Sequence, residues 1–241
     1  MMTLVDVYEL SGPRPVGPGC ADGADDERRL VITLDGPAAS GKSSVARRVA
    51  ELLNIPYVSS GLLYRAATFL VLERGLGPAD EAAVMALLNA HRVELRAQTG
   101  RANQLFIDAV NISPALHTDA VDAAVSAVAG HPSVRDWVGE RLRATGGSFA
   151  IDGRDMGTAV FPDATHKFYL DAPAEVRARR RVGERSTSLP EVAEALRRRD
   201  RLDHKQLTPA PDAVHIDTAD LTVEEVTRRV LDEVLSTSLA R

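Results

Sequence analysis

Residues 36–43 read Gly-Pro-Ala-Ala-Ser-Gly-Lys-Ser and satisfy the phosphate-loop pattern Gly-x-x-x-x-Gly-Lys-Ser/Thr at every fixed position. The flanks agree with it. Leu30–Leu34 is a short apolar run ending at Asp35, and apolar residues recur at helical spacing from about Lys42 to Leu53. A strand, a glycine-rich turn and a helix in that order confine the fold to an α/β architecture with a parallel sheet. The glycines let backbone amides converge on a phosphate, and the helix start adds the positive end of its dipole. Lys42 is placed to bridge β- and γ-phosphates, and the Ser43 hydroxyl falls at the magnesium position. Gly36, Pro37, Ala38, Ala39, Ser40, Gly41, Lys42, Ser43 and the adjoining Ser44 are therefore the expected triphosphate-binding segment.

Triphosphate binding does not by itself name a reaction. A switch GTPase should also carry Asn-Lys-x-Asp, but the three lysines, Lys42, Lys167 and Lys205, never follow an asparagine. A transporter-type ATPase needs a longer apolar strand ending in a magnesium-binding acid, which Ala150-Ile151-Asp152 resembles only weakly. The charge balance adds to these exclusions. Of 29 basic and 34 acidic residues, one and six fall within residues 1–27, leaving 28 of each in the rest. A near-neutral body argues against a dedicated nucleic-acid binder. A single cysteine, Cys20, rules out an internal disulfide framework or a cysteine metal cluster. No apolar stretch approaches the roughly 18 residues of a membrane helix.

Residues 1–28, rich in proline, glycine and acid, read as a flexible leader without the basic start and apolar block of a secretory signal. Residues 29–241 read as one domain. After the loop helix, Tyr57–Ser59 is a second strand and Gly61–Arg74 a helix, with Leu62, Ala66, Phe69, Leu70 and Leu72 expected inside. A hairpin-bearing insert spans about 75–132, with strands at Arg92–Arg96 and Asn103–Ile107 and helix caps at Ser113 and Thr118. A helix over Ser133–Ala144 returns the chain to a core strand, Phe149–Ile151. Asp152–Pro162 reads as a loop, Thr165–Leu170 as a strand and Ala174–Arg181 as an arginine-dense helix. A charged helix over Glu191–Asp203, a strand at Val214–Ile216 and a helix from Thr222, with Thr222 and Glu225 as a capping box, complete the pattern.

Arg65 and Arg154 each follow a parallel-sheet strand, on the side where ligands sit in such folds. Arg177, Arg179, Arg180 and Arg181 share one helix, and Arg199 and Asp203 lie four apart on one face of the next. An acceptor phosphate is already an anion, so transfer to it needs no strong base. It does need cations to offset repulsion between the two substrates. Residues 174–190 suit a small helical lid that excludes water during transfer.

With these residues placed, the chain resembles the bacterial-type cytidylate kinases over about residues 30–235. The resemblance rests on Asp35–Ser43 (DGPAASGKS), Ser60–Arg65 (SGLLYR), the insert and Asp152–Pro162 (DGRDMGTAVFP). It implies a three-layer parallel-sheet P-loop kinase core with a monophosphate-binding insert and a small helical lid. It implies a cytoplasmic monomer that moves the γ-phosphoryl of ATP to CMP or dCMP with Mg2+, without nucleic acid or membrane as partner. By position, Ser60, Arg65 and Arg154 resemble residues that hold the acceptor phosphate. Ser126, Arg135 and Asp155 resemble the group that reads cytosine, and Arg199 and Asp203 the pair that grips the sugar. Lys42, Arg154 and Arg65 are the expected catalytic set. Arg177 and Arg181 are expected near the ATP phosphates, Ser43 at Mg2+, and Asp152 near Mg2+ through water.

By residue type alone, Ser126 also reads as a small residue in an alanine-rich helix, Arg135 as a surface charge and Asp155 as a turn cap. Two features depart from the family pattern. Gln206 stands where the run Arg199-Asp200-x-x-Asp203-x-x ordinarily ends in arginine, and the lid turn is short. These leave open a broader UMP/CMP or other small-molecule P-loop kinase, and a nucleotide-binding regulatory protein without efficient transfer.

Overall fold

The computed structural model describes residues 29–182 and 188–239. The leader at 1–28, with Cys20, and residues 183–187 of the expected lid turn lie outside the described residues.

The chain enters on β1 (Val31–Asp35) and turns through the phosphate loop into α1 (Lys42–Leu52), followed by β2 (Tyr57–Ser59) and α2 (Gly61–Glu73). The insert contributes α3 (Glu81–Ala90), then an antiparallel meander of β3 (Val93–Arg96), β4 (Gln104–Ile107) and β5 (Val110–Asn111). A 3-10 turn at Ser113–Leu116 and α4 (Asp119–Ala129) follow, and α5 (Pro132–Arg143) leads back to β6 (Phe149–Asp152). A π-helical turn at Met156–Val160 precedes β7 (His166–Asp171). After it come α6 (Ala174–Val182), α7 (Leu189–Leu202), β8 (Val214–Asp217) and α8 (Val223–Leu239).

The principal sheet has the order β2-β6-β1-β7-β8, all parallel. Alternation along its strands builds two cores. Val31, Phe149 and Ile151 face α2, α5 and the insert, whereas Ile32, Leu34, Ala150, Phe168 and Leu170 face α1 and α8. Every residue of β1 and β6 is buried, as expected for strands covered on both sides. Helix α2 is buried almost all round: Leu62, Ala66 and Leu70 are inside as expected, joined by Leu63, Tyr64, Ala67 and Val71. The insert has no separate core, since Val84, Leu88, Leu105 and Leu116 join the cluster containing Phe149 and Ile151.

The register brings strand ends together where ligands can reach them. Asp152 pairs with Leu34 of β1 and with Ser59 of β2, so β1, β2 and β6 finish at one edge. Gly36 opens the loop at φ 143, and a Cβ there would lie 2.0 Å from the Leu170 carbonyl oxygen. Only glycine fits that approach.

Some local expectations change. Ser113 does not cap a helix: its hydroxyl accepts from the Leu105 amide at 2.8 Å, pinning the short turn to the meander. Thr118 does cap, accepting from the Val121 amide at 3.3 Å. Thr222 and Glu225 form the expected box, and Ser188 and Glu191 form a second. The segment read as a plain loop after Asp152 contains the π-helical turn, and the hairpin gains β5 as a third strand.

Candidate active site

A cleft of about 770 Å3 opens at the strand ends, between the phosphate loop, the insert and helices α6 and α7. That volume suits small-molecule ligands. Ala38, Ala39, Ser40, Gly41, Lys42, Ser43 and Ser44 line one end of it. Lys42 is almost fully buried, and its Nζ donates to the Pro37 carbonyl at 2.9 Å across the loop. Burial, and then the neighbouring Arg154 guanidinium, push its amine down to about 7. Gly36 and Pro37 serve through their backbones instead of lining the cleft. The Gly36 carbonyl accepts from Arg154 Nη1 at 2.8 Å.

Asp152 closes β6 beside the loop. Its Oδ2 accepts from the Ser43 hydroxyl at 2.5 Å, and its Oδ1 accepts from the buried Tyr57 phenol at 2.7 Å. Two hydroxyls from different elements thus fix the plane of one carboxylate. Burial and the nearby Asp152 charge push the Tyr57 phenol up, so it stays protonated as the donor. The donor set Ser43 Oγ and Asp152 Oδ2 is all oxygen, which suits a hard cation such as Mg2+. Among the described residues no group of three or more His, Cys, Asp or Glu could hold a metal. An ion at this place therefore needs phosphate and water oxygens as further ligands.

The other end of the cleft is rich in arginine. Arg65, on the first turns of α2, donates to the Leu116 carbonyl at 2.8 Å and to Asp122 at 2.6 Å. Arg154 Nη2 lies 3.0 Å from Asp203 Oδ2, and Arg199 Nε lies 3.7 Å from the same oxygen. Arg199 is pushed down to about 10, first by burial and then by Arg154. The Ser60 hydroxyl, buried, donates to the Asp152 carbonyl at 2.7 Å. Arg135 forms an ion pair with Asp155 and stacks its guanidinium 5.7 Å from the Tyr64 ring centre. Ser126 on α4 shares this wall.

Sequence reasoning brought these residues to one cleft, apart from Gly36 and Pro37, which act through their backbones, and Arg177. Arg177 does not line it. Its Nη1 donates to the Ala38 carbonyl at 3.0 Å, its Nε to the Ala172 carbonyl at 2.7 Å, and its Nη2 lies 2.5 Å from Asp200. It supports the phosphate loop from behind, since its donors are engaged there. Arg181 does face the cleft, on Asp122 at 2.8 Å. Arg180 joins it, held by the Thr218 hydroxyl at 3.0 Å and by the Thr218 carbonyl. Arg180 is three residues past Arg177, and Thr218 follows the end of β8; both positions follow from helical spacing and the parallel-sheet rule. Gln206 also lines the cleft. Asp122 and Tyr57 had no motif to announce them, and Tyr64 stood in the Ser60–Arg65 run without an assigned role.

A phosphate loop on a five-stranded parallel sheet, facing a wall of arginines from α2, α5, α6, α7 and the turn after β6 with Asp122 and Ser126 of the insert beside them, defines a P-loop kinase of the nucleoside-monophosphate type. The comparisons narrow this class. The family model for cytidylate kinase matches residues 32–236. The chain belongs to the cytidylate kinase family. It is 53% identical over 206 residues to a cytidylate kinase of Thermus thermophilus, covering 86% of this chain and 99% of that protein. A Deinococcus deserti cytidylate kinase is 50% identical, with 82% and 95% covered. One from Geobacillus thermodenitrificans is 41% identical, with 86% and 97% covered.

Proposed function

We propose that the chain transfers the γ-phosphoryl group of ATP to CMP and dCMP, giving ADP with CDP or dCDP. One observation carries this reading. Lys42, Arg65, Arg154, Arg181 and Arg199 line one cleft with the phosphate loop, and Arg154 joins its two ends, donating to the Gly36 carbonyl at 2.8 Å and lying 3.0 Å from Asp203. Such a concentration of cations is costly without an anion and is relieved by two phosphate chains.

In this reading the loop amides and the N-terminus of α1 hold the donor's polyphosphate, with Lys42 on its β- and γ-phosphates. Arg177 keeps the loop in shape from beneath. Ser43 directly and Asp152 through water are the residues that would hold Mg2+. When bound, the ion supplies charge neutralisation across the β- and γ-phosphates. Ser60, Arg65 and Arg154 hold the acceptor phosphate, Arg199 and Asp203 the sugar. Ser126, Arg135 and Asp155 meet the base, a carboxylate and hydroxyl suiting the C4 amino group and a guanidinium suiting N3 and O2. The acceptor oxygen attacks without losing a proton, so the protein supplies orientation and charge compensation instead of a base. The reading carries with it a cytoplasmic monomer acting on small nucleotides. Among the described residues no helix is long and apolar enough to cross a membrane.

The test is ADP formation from ATP and Mg2+ with CMP, dCMP, UMP, AMP and GMP in turn. CMP and dCMP should give the highest kcat/KM. Equal use of UMP would make this a broader pyrimidine kinase, and tight ATP binding without acceptor-stimulated turnover would make it a regulator.

A further inference from the structure

Asp122 is the one acidic residue that ties the insert to the arginine-rich helix across the cleft among the ion pairs described. Its Oδ1 accepts from Arg65 Nη2 at 2.6 Å and its Oδ2 from Arg181 Nη2 at 2.8 Å. The three residues come from α4, α2 and α6, separated by 57 and 59 positions in sequence. All three line the cleft, and their side chains are only 12–21% exposed. Screening by water is therefore limited compared with surface pairs such as Arg197–Glu194, at 43% and 60% exposure.

The charges do not cancel. Two guanidinium groups on one carboxylate leave a net positive seat, and each guanidinium has five N–H donors. Arg65 uses Nη1 on the Leu116 carbonyl and Nη2 on Asp122, so further donors are left for an incoming anion. The Leu116 carbonyl is neutral and fixed in the backbone, so the arrival of a phosphate does not repel it. The arginine is thereby anchored from two sides and aimed, not merely neutralised.

We propose that Asp122 is a positioning residue for phosphoryl transfer, holding Arg65 and Arg181 side by side where the acceptor phosphate meets the donor. This rests on the kinase reading above and assigns Arg181 to the junction of the two phosphate chains, beside an acceptor-holding residue. Docking of α6 is coupled through the same carboxylate to the insert that receives the monophosphate.

The experiment uses the full chain with Asp122→Ala, Asp122→Asn, Arg181→Ala and the Asp122→Ala/Arg181→Ala pair. It reads kcat and KM for CMP, and ATP affinity by calorimetry without CMP. Asp122→Ala should lower kcat/KM for CMP by roughly 10- to 100-fold, the scale expected when a reacting group is misplaced by about an ångström. ATP affinity without CMP should stay within about twofold, a split that a general loss of structure does not produce. Asp122→Asn should fall between, since its amide oxygen still accepts from one guanidinium, and it decides the matter if the alanine variant does not fold. The double variant should lose less than the product of the two single losses, because both changes remove the Asp122–Arg181 contact while only Asp122→Ala also releases Arg65. Unchanged kcat/KM, full additivity, or a lower KM for CMP in the asparagine variant would each overturn the proposal; the last would make Asp122 a competitor of the phosphate. A parental chain that binds ATP but does not use CMP would overturn the functional reading as well, and the variants are not needed to see it.

Discussion

Lys42 concentrates the physics of the site in one amine. Its lowered value, about 7 against an ordinary 10.5, arises because burial and Arg154 disfavour its charge before any anion arrives. Polyphosphate binding reverses the balance, so at about pH 8 the free protein holds a largely neutral Lys42 and the ATP complex a charged one. ATP binding at that pH should take up protons, seen as a binding enthalpy that varies with the ionisation heat of the buffer. No buffer dependence, or the same dependence in Lys42→Ala, contradicts this. Lys42→Ala should also reduce kcat by about 100-fold or more, as for loss of a preorganised donor to developing charge. Linkage fixes the sign for stability. The unfolded chain holds the proton that the ligand-free fold has lost, so the cost is full below about pH 7 and declines as pH rises toward 10.5.

Elements meet at the site through buried polar groups placed at their ends. Asp35 ends β1, and its carboxylate accepts the Met156 and Gly157 amides of the π-helical turn at 2.8 and 2.7 Å. Burial still pushes it up to about 6, against the pull of those two amides. Asp35→Ala leaves both amides without an acceptor. It should lower unfolding free energy by about 2–5 kcal/mol, measured by urea denaturation, because each buried unsatisfied donor costs about 1–3 kcal/mol. A change under about 1 kcal/mol would mean that water replaces the carboxylate. The central strands were legible because Leu30–Leu34 and Phe149–Ile151 are apolar runs bounded by turn residues; both extend one residue further, into a site aspartate. The π-helical turn was not, since Met156–Val160 has no apolar period and takes its shape from Asp35, over 120 residues upstream. Nor was β5, a two-residue strand whose Val110 is 64% exposed.

For the whole molecule, two faces of one sheet divide the labour. One face packs α1 and α8 as a closed apolar layer, and the other carries the insert on the same core that supports the strand ends. A rigid sheet thus presents the phosphate loop and the arginine wall in one frame. The donor end of the site was legible because its parts are contiguous, from Gly36 to Ser44. Arg65 and Arg154 were legible from their places after parallel strands, but the acceptor end needed a family resemblance to assign roles to Ser60, Ser126, Arg135 and Asp155. Pairs such as Arg65–Asp122 and Tyr57–Asp152 join different elements over long separations, and no local pattern encodes them. Arg177 shows the converse: helical spacing grouped it with Arg180 and Arg181, but the packing of α6 against the phosphate loop and α7 turned it beneath the loop. The central claim is that two anionic substrates occupy one cleft together, and a bisubstrate inhibitor joining adenosine and cytidine through a polyphosphate tests it most directly. It should bind one molecule per chain, compete with both ATP and CMP, and lose affinity on either Lys42→Ala or Arg154→Ala. Competition with only one of the two substrates, or independent binding of two molecules, would contradict it.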